Sequence, residues 1–490
     1  MNDGSAGGRR SKWLVFLAIG TGMFAMVADV GATIVALPTI AGAFGTDLPV
    51  TQWVVLAYAL TITVLLVPMG RVSDILGRKR VYLAGFVLFA AGAAAAGCAG
   101  SMTMLVLARV LMGMGSAMTQ GPAMAIMISV FPQEQRGRAL GLQMSAVGSG
   151  VVAGPVLGGF IVSAFGWRGV FFTVALLGAV TLVTAAAILE PGRDDRRPAG
   201  AFDWAGAALL GGLLLLFLLA VTAGPELGWT SPAVLAAFAG MALMLAGFIR
   251  RELRAGEPLL EMRYFRNMDF TLGVASRFVM FLGMSSVRYL LPFYVQSVLG
   301  YSARLFGLIA LPASLCTIVV SPLSGWLSDR WGWKTFTIAG LAVSAAGLLL
   351  LAAMGETALF PLLIGAWALQ RIGHGSFSAP NNSSVLAVVD RDGYGVTAGF
   401  LNMVRNAGNV TGTALATAVV TGIMVSRGVP PVLESTGSAA PADVAGAFVA
   451  GMRIAYIVPA CLICAVVLLY AAFRLRAGRS GRTPRRSRAA

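Results

Sequence analysis

The chain has 490 residues, of which 58% are hydrophobic and 11% are charged. A soluble domain carries about 25% charged residues, so this composition excludes a water-soluble globular protein and indicates that lipid is the solvent. The net charge of +16 is spread over short basic clusters between apolar runs, which is typical of membrane proteins and argues against nucleic acid as a partner.

Apolar runs follow one another along almost the whole chain, and a membrane-spanning helix needs roughly 20 such residues. The first run begins at Trp13 and is too long for the core of a signal peptide, so we predict that it is retained as a helix. The sequence predicts an all-α polytopic membrane protein. Its fourteen predicted spans, numbered 1 to 14 in chain order, cover residues 13–37, 51–70, 81–99, 103–127, 140–164, 169–189, 204–223, 232–249, 270–293, 305–325, 336–354, 359–386, 396–425 and 448–474.

Basic residues are divided unevenly between the two sides of the membrane. Of the 36 Lys and Arg residues, six lie well within predicted spans and three, Arg168, Arg304 and Arg427, lie in loops opposite the termini. The other 27 lie on the side of the termini, with Arg474 at the end of span 14 counted there. Cytoplasmic loops carry an excess of Lys and Arg. We therefore predict that both termini are cytoplasmic and that the protein is a multi-pass protein of the plasma membrane.

One loop motif occurs twice. The spacing Gly-x-x-Ser-Asp-x-x-Gly-x-Lys ends span 2 at residues 70–79 and ends span 10 at residues 325–334. Its glycines allow two helices to approach and the chain to turn tightly, and Asp74 is placed to pair with nearby bases or to cap the next helix. The residues that we predict to form this conformational-switch loop are Gly70, Asp74, Gly77, Arg78, Gly325, Asp329 and Gly332.

A second motif is repeated at a similar offset, because Arg109 precedes Gly113 in span 4 as Arg371 precedes Gly375 in span 12. The repeats predict a duplicated chain with two inserted helices, and duplicated halves with a substrate site between them are typical of secondary transporters. The predicted units are an N-terminal six-helix half (1–203), two linker helices (204–250) and a C-terminal six-helix half with a basic cytoplasmic tail (251–490).

Two further motifs lie in the first half. Asp29 is followed nine residues later by Pro38, and span 5 contains a glycine-rich stretch at residues 150–159. Together with the loop motif and the Arg109 motif, they resemble the major facilitator superfamily, specifically its fourteen-helix drug:proton antiporter family. Two positions depart from the family's pattern, which usually has Gln and Asn there: Met112 and Ile34.

The resemblance implies a major facilitator fold, proton-driven export and a contact between the halves at span 5, where the helix limits leak. Three glycines at intervals of four form a smooth stripe on which another helix can lie, and Pro155 bends or weakens the helix. Packing without a role in antiport is the alternative interpretation. The residues of this antiporter-type helix are Gly150, Gly154, Pro155, Gly158 and Gly159.

Asp29 is the carboxylate that lies well inside a predicted span. A charge at the bilayer centre costs roughly 2.5–3.5 kcal/mol on insertion scales, so it needs a function or a partner. At a rise of 1.5 Å per residue, Asp29 in the outward-running span 1 and Arg109 in the inward-running span 4 lie at similar depth. We predict that they pair and couple transport to proton movement. A purely structural ion pair is the alternative.

Polar residues also recur at helical spacing in later spans. Those of span 13 are three or four residues apart, so they share one face of the helix, which must point to a cavity or to another helix. Interhelical hydrogen bonding is the alternative for span 13 and for His374, and Arg288 has the alternative of reaching the outer interface. The predicted cavity residues are Tyr58, Arg288, Arg371, His374, Asn402, Arg405, Asn406 and Asn409.

The sequence thus predicts a proton-coupled secondary transporter that exports small amphipathic compounds, as in multidrug or antibiotic efflux, by alternating access. The excess of intramembrane Arg over acid favours neutral, zwitterionic or anionic substrates. An importer or uniporter of the same fold and a non-transporting membrane receptor are the alternatives. We find no nucleophile constellation, metal-ligand cluster or phosphate-binding loop. We therefore expect no enzyme activity, metal or cofactor, the proton gradient as energy source, and a monomer whose partners are substrate, protons and the lipid bilayer.

Overall fold

A computed structural model describes residues 5–131, 135–189, 204–252, 262–389, 394–433 and 440–479. These ranges are almost entirely helical, with a 3-10 turn at Met262–Arg266 and a π-helical turn at Tyr294–Val298. The α-helices are α1 (Ser5–Phe44), α2 (Leu48–Thr51), α3 (Trp53–Leu76), α4 (Arg78–Gly97), α5 (Met102–Val130), α6 (Arg136–Ile188), α7 (Trp204–Leu227), α8 (Pro232–Glu252), α9 (Met268–Phe293), α10 (Ala303–Trp331), α11 (Trp333–Ala352), α12 (Phe360–Leu386), α13 (Tyr394–Ser426) and α14 (Ala442–Arg479).

All fourteen predicted spans coincide with helices. Spans 1 to 4 fall on α1, α3, α4 and α5, spans 5 and 6 both fall on α6, and later spans fall on the helices of the same number. Eleven helical segments in the described part of the chain are long and apolar enough to cross a membrane. The apolar stretch of α7, Ala208–Val221, is shorter, and α12 carries several polar residues between Gln370 and Asn382. The prediction of an all-α membrane protein is confirmed.

The connection between spans 5 and 6 differs from the predicted loop. Helical structure continues through α6 with one interruption, at Gly166 (φ 70°, ψ −179°). Gly150 before it lies against Phe24, and Thr181 after it lies against Gly22, at nearly the same level of α1. The two parts of α6 are therefore antiparallel, and the chain reverses at Gly166. Glycine reaches this positive φ without a steric penalty because it has no Cβ atom, so one residue replaces the loop.

The helices pack in two groups. In the first, α1 lies on α6, α3 on α5, and α4 on both α5 and α6. In the second, α9 lies on α13, α10 on α12, α11 on α12 and α14, and α13 on α14. The pair α7–α8 is attached through α7, which contacts α3 of the first group and α13 of the second. The predicted boundary at residue 203 and the tail from residue 480 onward lie outside the described residues.

The two groups meet where α1 ends and α10 begins, which is the outer end of the bundle in the predicted orientation. Tyr289 donates its hydroxyl hydrogen to the carbonyl oxygen of Leu48 (2.8 Å), and Gln296 Nε2 donates to that of Val35 (3.0 Å). The backbone N–H of Leu48 donates to the carbonyl oxygen of Pro431 (3.1 Å). These bonds join the first group to the second and close the outer end.

Candidate functional site

The ion pair predicted from depth is present between α1 and α5. Arg109 Nη1 donates to Asp29 Oδ2 at 2.7 Å, and the two side chains are 1% and 0% exposed. Thr33 Oγ1 donates to the other carboxylate oxygen (3.3 Å), and Arg109 Nε donates to the carbonyl oxygen of Val54 in α3 (2.9 Å). The charge of Asp29 is thus balanced by one cation and solvated by one hydroxyl, as a buried carboxylate requires.

Tyr58 lies beside this ion pair rather than with the other predicted cavity residues. The Cζ atom of Arg109 is 4.2 Å from the centre of the Tyr58 ring, and the Tyr58 hydroxyl is hydrogen-bonded to Ser116 Oγ (2.7 Å). Met112, which stands where the family usually has Gln, accepts a hydrogen bond on its sulfur from Arg109 Nη1 (3.5 Å). Tyr58 therefore orients the arginine through its ring face.

We expect Tyr58→Leu to lower the thermal stability of the purified protein, because a desolvated cation–π contact contributes about 2 kcal/mol. Tyr58→Phe is the matched control, since it keeps the ring and removes only the hydroxyl that meets Ser116. When thermal unfolding is followed by tryptophan fluorescence, Tyr58→Phe should unfold near the temperature of the parent protein. Tyr58→Leu should unfold several degrees below both. Equal losses for the two variants would contradict a role of the ring.

The two copies of the loop motif share their backbone geometry. Gly77 ends α3 with φ 97°, and Gly332 ends α10 with φ 88°, a conformation that L-residues rarely adopt. Within each copy the serine donates its hydroxyl hydrogen to the carbonyl oxygen of the first glycine: Ser73 to Gly70 (2.6 Å) and Ser328 to Gly325 (2.7 Å). The repeated spacing therefore encodes a repeated turn.

The charges of the two copies have different partners. Asp74 accepts from Arg78 Nη2 at 3.1 Å, whereas the position equivalent to Arg78 in the second copy is Trp333 and Asp329 is exposed. Lys334 in that copy pairs with Asp269 at the start of α9 (2.9 Å). The second turn is therefore tied to α9, while the carboxylate of the first is held within its own motif.

The glycine stripe of α6 lies on α1. A Cβ atom on Gly154 would lie 2.7 Å from the carbonyl oxygen of Ala28, and one on Gly158 would lie 2.5 Å from the Cα atom of Ala32. Gly150 has the same relation to Phe24, so three residues of each helix at intervals of four are in contact. Because a larger side chain would displace the backbone of α1, these glycines fix the approach of the helix that carries Asp29.

A different face of α6 contacts α10 of the second group. A Cβ atom on Gly159 would lie 2.5 Å from the carbonyl oxygen of Ala303, and one on Gly307 would lie 2.6 Å from that of Pro155. Arg304 N also donates to Ser163 Oγ (3.1 Å). The segment from Gly150 to Gly159 therefore joins α1 on one face and α10 on the other.

The remaining predicted cavity residues lie on α9, α12 and α13. Arg288 Nη2 donates to Asn409 Oδ1 (3.3 Å), which brings α9 and α13 together there. Arg371 and His374 of α12 are buried, whereas Arg288 and Arg405 are partly exposed. Asn402, Asn406 and Asn409 are also partly exposed. These side chains therefore share one polar region within the second group of helices.

Arg277 belongs to the same region and is absent from the set of predicted cavity residues. It donates through Nε to the carbonyl oxygen of Leu401 (2.9 Å) and through Nη1 to Asn382 Oδ1, so it joins α9 to α13 and α12. Its spacing of eleven residues from Arg288 places both on one face of α9. That spacing is the sequence signal that identifies it.

A bundle of membrane-crossing helices with a buried ion pair in its first part and partly exposed polar side chains in its last part is the architecture of a membrane transport protein. The family model of the Major Facilitator Superfamily matches residues 19–413 and, a second time, residues 273–489. The chain belongs to the Major Facilitator Superfamily and is a multi-pass membrane transporter.

Relatives with assigned roles support the same family. The chain is 30% identical over 412 residues to the multidrug resistance protein Stp of Mycobacterium tuberculosis (strain CDC 1551 / Oshkosh). The matched region covers 84% of this chain and 76% of Stp. It is 30% identical over 429 residues to the tetracenomycin C resistance and export protein of Streptomyces glaucescens, covering 86% and 78% of the two chains.

Among solved structures, a bacterial homolog of the human lysosomal transporter Spinster, in an inward-facing and unoccupied conformation, matches with a TM-score of 0.70 and 18% identity. The match covers 97% of this chain and 99% of that one. At this identity the likeness concerns the fold alone.

Proposed function

We propose that the chain is a proton-coupled exporter of small amphipathic compounds, a member of the fourteen-helix drug:proton antiporter family that works by alternating access. The observation that carries this proposal is the fully buried Asp29–Arg109 pair at 2.7 Å. An intramembrane carboxylate is costly to maintain and is by default a functional group. The names of the two relatives, a multidrug resistance protein and an export protein, support export.

Proton uptake at Asp29 would change the bond that links α1 to α5. With Asp29 ionised, its bond to Arg109 joins two opposite charges at 2.7 Å, whereas a protonated Asp29 offers the guanidinium only a neutral oxygen acceptor. Protonation also leaves the guanidinium of Arg109 as an uncompensated buried charge, which favours a rearrangement of the pair. The proton therefore selects between two arrangements of α1 and α5.

The packing of α6 offers a route by which a movement of the Asp29–Arg109 pair could reach the outer end of the bundle. Asp29 lies on α1 between Ala28 and Ala32, the two residues against which Gly154 and Gly158 pack. The same segment of α6 continues to Gly159, which contacts α10 where the outer end closes. A shift of α1 would thus be transmitted to α6, because closely packed backbones are hardly compressible and pass a displacement on to their neighbours.

The proposal also covers the membrane, the orientation, the energy source and the oligomeric state of the transporter. The distribution of Lys and Arg supports a plasma-membrane protein with both termini in the cytoplasm. The proton gradient is its energy source and no cofactor is required. We propose a monomer, because the ion pair and the polar region both lie within one chain.

We expect cells that express the protein to accumulate less of an exported compound than control cells, and an uncoupler to abolish the difference. A panel of antibiotics and fluorescent dyes, with accumulation and susceptibility measured with and without the uncoupler, tests this. Higher accumulation would indicate an importer. A compound that equilibrated faster in both directions, with or without the uncoupler, would indicate a uniporter, and no difference for any compound would contradict a role in export.

A further inference from the structure

We propose that the polar region of α9, α12 and α13 binds the anionic group of the exported compound, a carboxylate, sulfonate or phosphate on an amphipathic aromatic molecule. This inference rests on the proposed export function and names its substrate class. Its centre is the arginine cluster, which consists of Arg277, Arg288, Arg371 and Arg405.

The positive charges of the cluster act on one another. The guanidinium of Arg405 repels those of Arg277 and Arg288, and Arg288 repels Arg371. His374 experiences the charges of Arg277, Arg371 and Arg405. Four like charges within a membrane-embedded region repel strongly because the local dielectric constant is low. A negatively charged partner would relieve this repulsion.

The bonds of the cluster are to neutral groups. The described partners of Arg277 and Arg288 are carbonyl oxygens of the backbone and of Asn382 and Asn409, and Arg371 Nη1 meets only the sulfur of Met284 (3.9 Å). These neutral acceptors solvate the guanidinium groups without balancing their charge. The cluster therefore differs from Arg109, whose charge is balanced by Asp29.

Carboxylates in the described part of the chain from α9 to α14 lie away from the cluster, at the ends of helices or, for Glu356, between α11 and α12 beside Gly446. Asp269 begins α9 and is paired with Lys334. Asp329 lies in the last turn of α10, and Asp443 in the first turn of α14. At 1.5 Å per residue, Asp269 is about 12 Å along α9 from Arg277. Among the residues that the structure describes, no acid therefore neutralises the positive charge of the cluster.

Two buried side chains of α12 have polar atoms for which the described part of the chain offers no hydrogen-bond partner. These atoms are Nε of Arg371 and both ring nitrogens of His374, and the two side chains are 7% and 8% exposed. A buried donor left without a partner costs roughly 1–3 kcal/mol. An oxyanion is the ligand that satisfies a guanidinium N–H and compensates its charge at once.

Aromatic side chains stand among these polar groups. The ring of Phe281 is 5.2 Å from that of His374 and 5.6 Å from the Cζ atom of Arg277. Trp367 is 5.9 Å from the Cζ atom of Arg371. Rings beside guanidinium groups provide contact area for the apolar part of a ligand whose charged part reaches the arginines. A compound with an aromatic body and one anionic group fits both features.

The inference is tested by direct binding to the purified full-length protein in phosphatidylcholine nanodiscs, without a proton gradient. The probes are three fluorescent compounds with the same pyrene body: pyrenebutyrate, its neutral amide, and a pyrenebutyl trimethylammonium salt. We expect the anion to bind at least about tenfold more tightly than the amide, since hydrogen bonds to charged groups contribute about 1.5–3 kcal/mol. The cation should bind more weakly than either.

Arg371→Gln and Arg288→Gln should each weaken binding of the anion about tenfold and leave binding of the amide unchanged. Arg453→Gln is the matched control, because Arg453 is an exposed arginine of α14 whose Nε bonds to the backbone of Ala352. It should behave like the parent. Equal losses for all three probes would show that the arginines act only on the fold and would overturn the inference.

Competition experiments identify the source of the anion. Sulfate lacks the aromatic body and should compete only weakly with pyrenebutyrate. Sulfate that competed as well as an unlabelled aromatic carboxylate, or displacement of pyrenebutyrate by phosphatidylglycerol added to the nanodisc, would overturn the assignment to an exported compound. Preferential binding of the cation would overturn the charge class while leaving uncoupler-sensitive export intact. Preferential binding of the anion, with no uncoupler-sensitive efflux in cells, would instead contradict the export function and leave the anion site standing.

Discussion

Asp29→Asn is expected to reduce proton-driven export to the rate of protein-free vesicles, because asparagine cannot take up or release the proton. Substrate exchange without a proton gradient should persist, since the neutral amide resembles the protonated carboxyl group. Proteoliposomes loaded with substrate and given an imposed pH gradient measure the first activity, and counterflow at equal pH measures the second. Asp29→Glu, which keeps a titratable group, should retain part of the proton-driven rate.

The stability of these variants separates coupling from folding. Asp29→Asn leaves Arg109 as an unpaired buried charge, and breaking a buried pair in this way costs about 3–5 kcal/mol. The double variant Asp29→Asn with Arg109→Gln removes both charges and should recover much of the thermal stability without recovering proton-driven export. A double variant that exported at the parent rate would assign the pair a structural role only.

Gly159→Ala is expected to open the outer end of the bundle. Its Cβ atom would lie 2.5 Å from the carbonyl oxygen of Ala303, a distance at which α6 and α10 must separate. Overpacking costs about 1–3 kcal/mol, so the ratio of outer-open to outer-closed molecules should rise at least about fivefold. A cysteine introduced as Ser297→Cys, at a buried position of the outer end, reports the change through labelling by a membrane-impermeant maleimide.

Gly148→Ala is the matched control for this experiment. Gly148 lies on the same helix and also faces α10, but a Cβ atom there would be 3.9 Å from Ile318, an ordinary contact. The reporter is used after replacement of the four native cysteines, and labelling in Gly148→Ala should equal that of the parent. Equal labelling in Gly159→Ala and the control would contradict the role of Gly159 in closing the outer end.

The spans were predictable because lipid leaves few alternatives. A backbone in a bilayer must satisfy its own hydrogen bonds, so every long apolar run becomes a helix. The position of the reversal between spans 5 and 6 was predicted, because Gly166 lies between residues 164 and 169. That one residue makes the turn was not predictable, since this depends on the backbone angle of Gly166, which the sequence does not show.

The site could be predicted where a contact depends only on the depth of two residues in the membrane. The rise of a helix is fixed, so counting residues was enough to place Asp29 opposite Arg109. The contact of Tyr58 with Arg109 depends on how α3 is rotated about its axis, and a sequence does not fix that rotation. Arg277 could be predicted only in part. Its spacing from Arg288 is visible in the sequence, but its bond to Asn382 depends on how α9 packs on α12.

If the arginine cluster carries anions outward, transport is electrogenic. A monoanion leaving the cell and a proton entering it both move net positive charge inward, so one such exchange transfers two elementary charges. Each charge crossing 100 mV is worth about 2.3 kcal/mol, so the pair of movements is driven by about 4.6 kcal/mol at that voltage. Export would then produce a measurable current and would continue on membrane voltage alone when the pH on the two sides is equal.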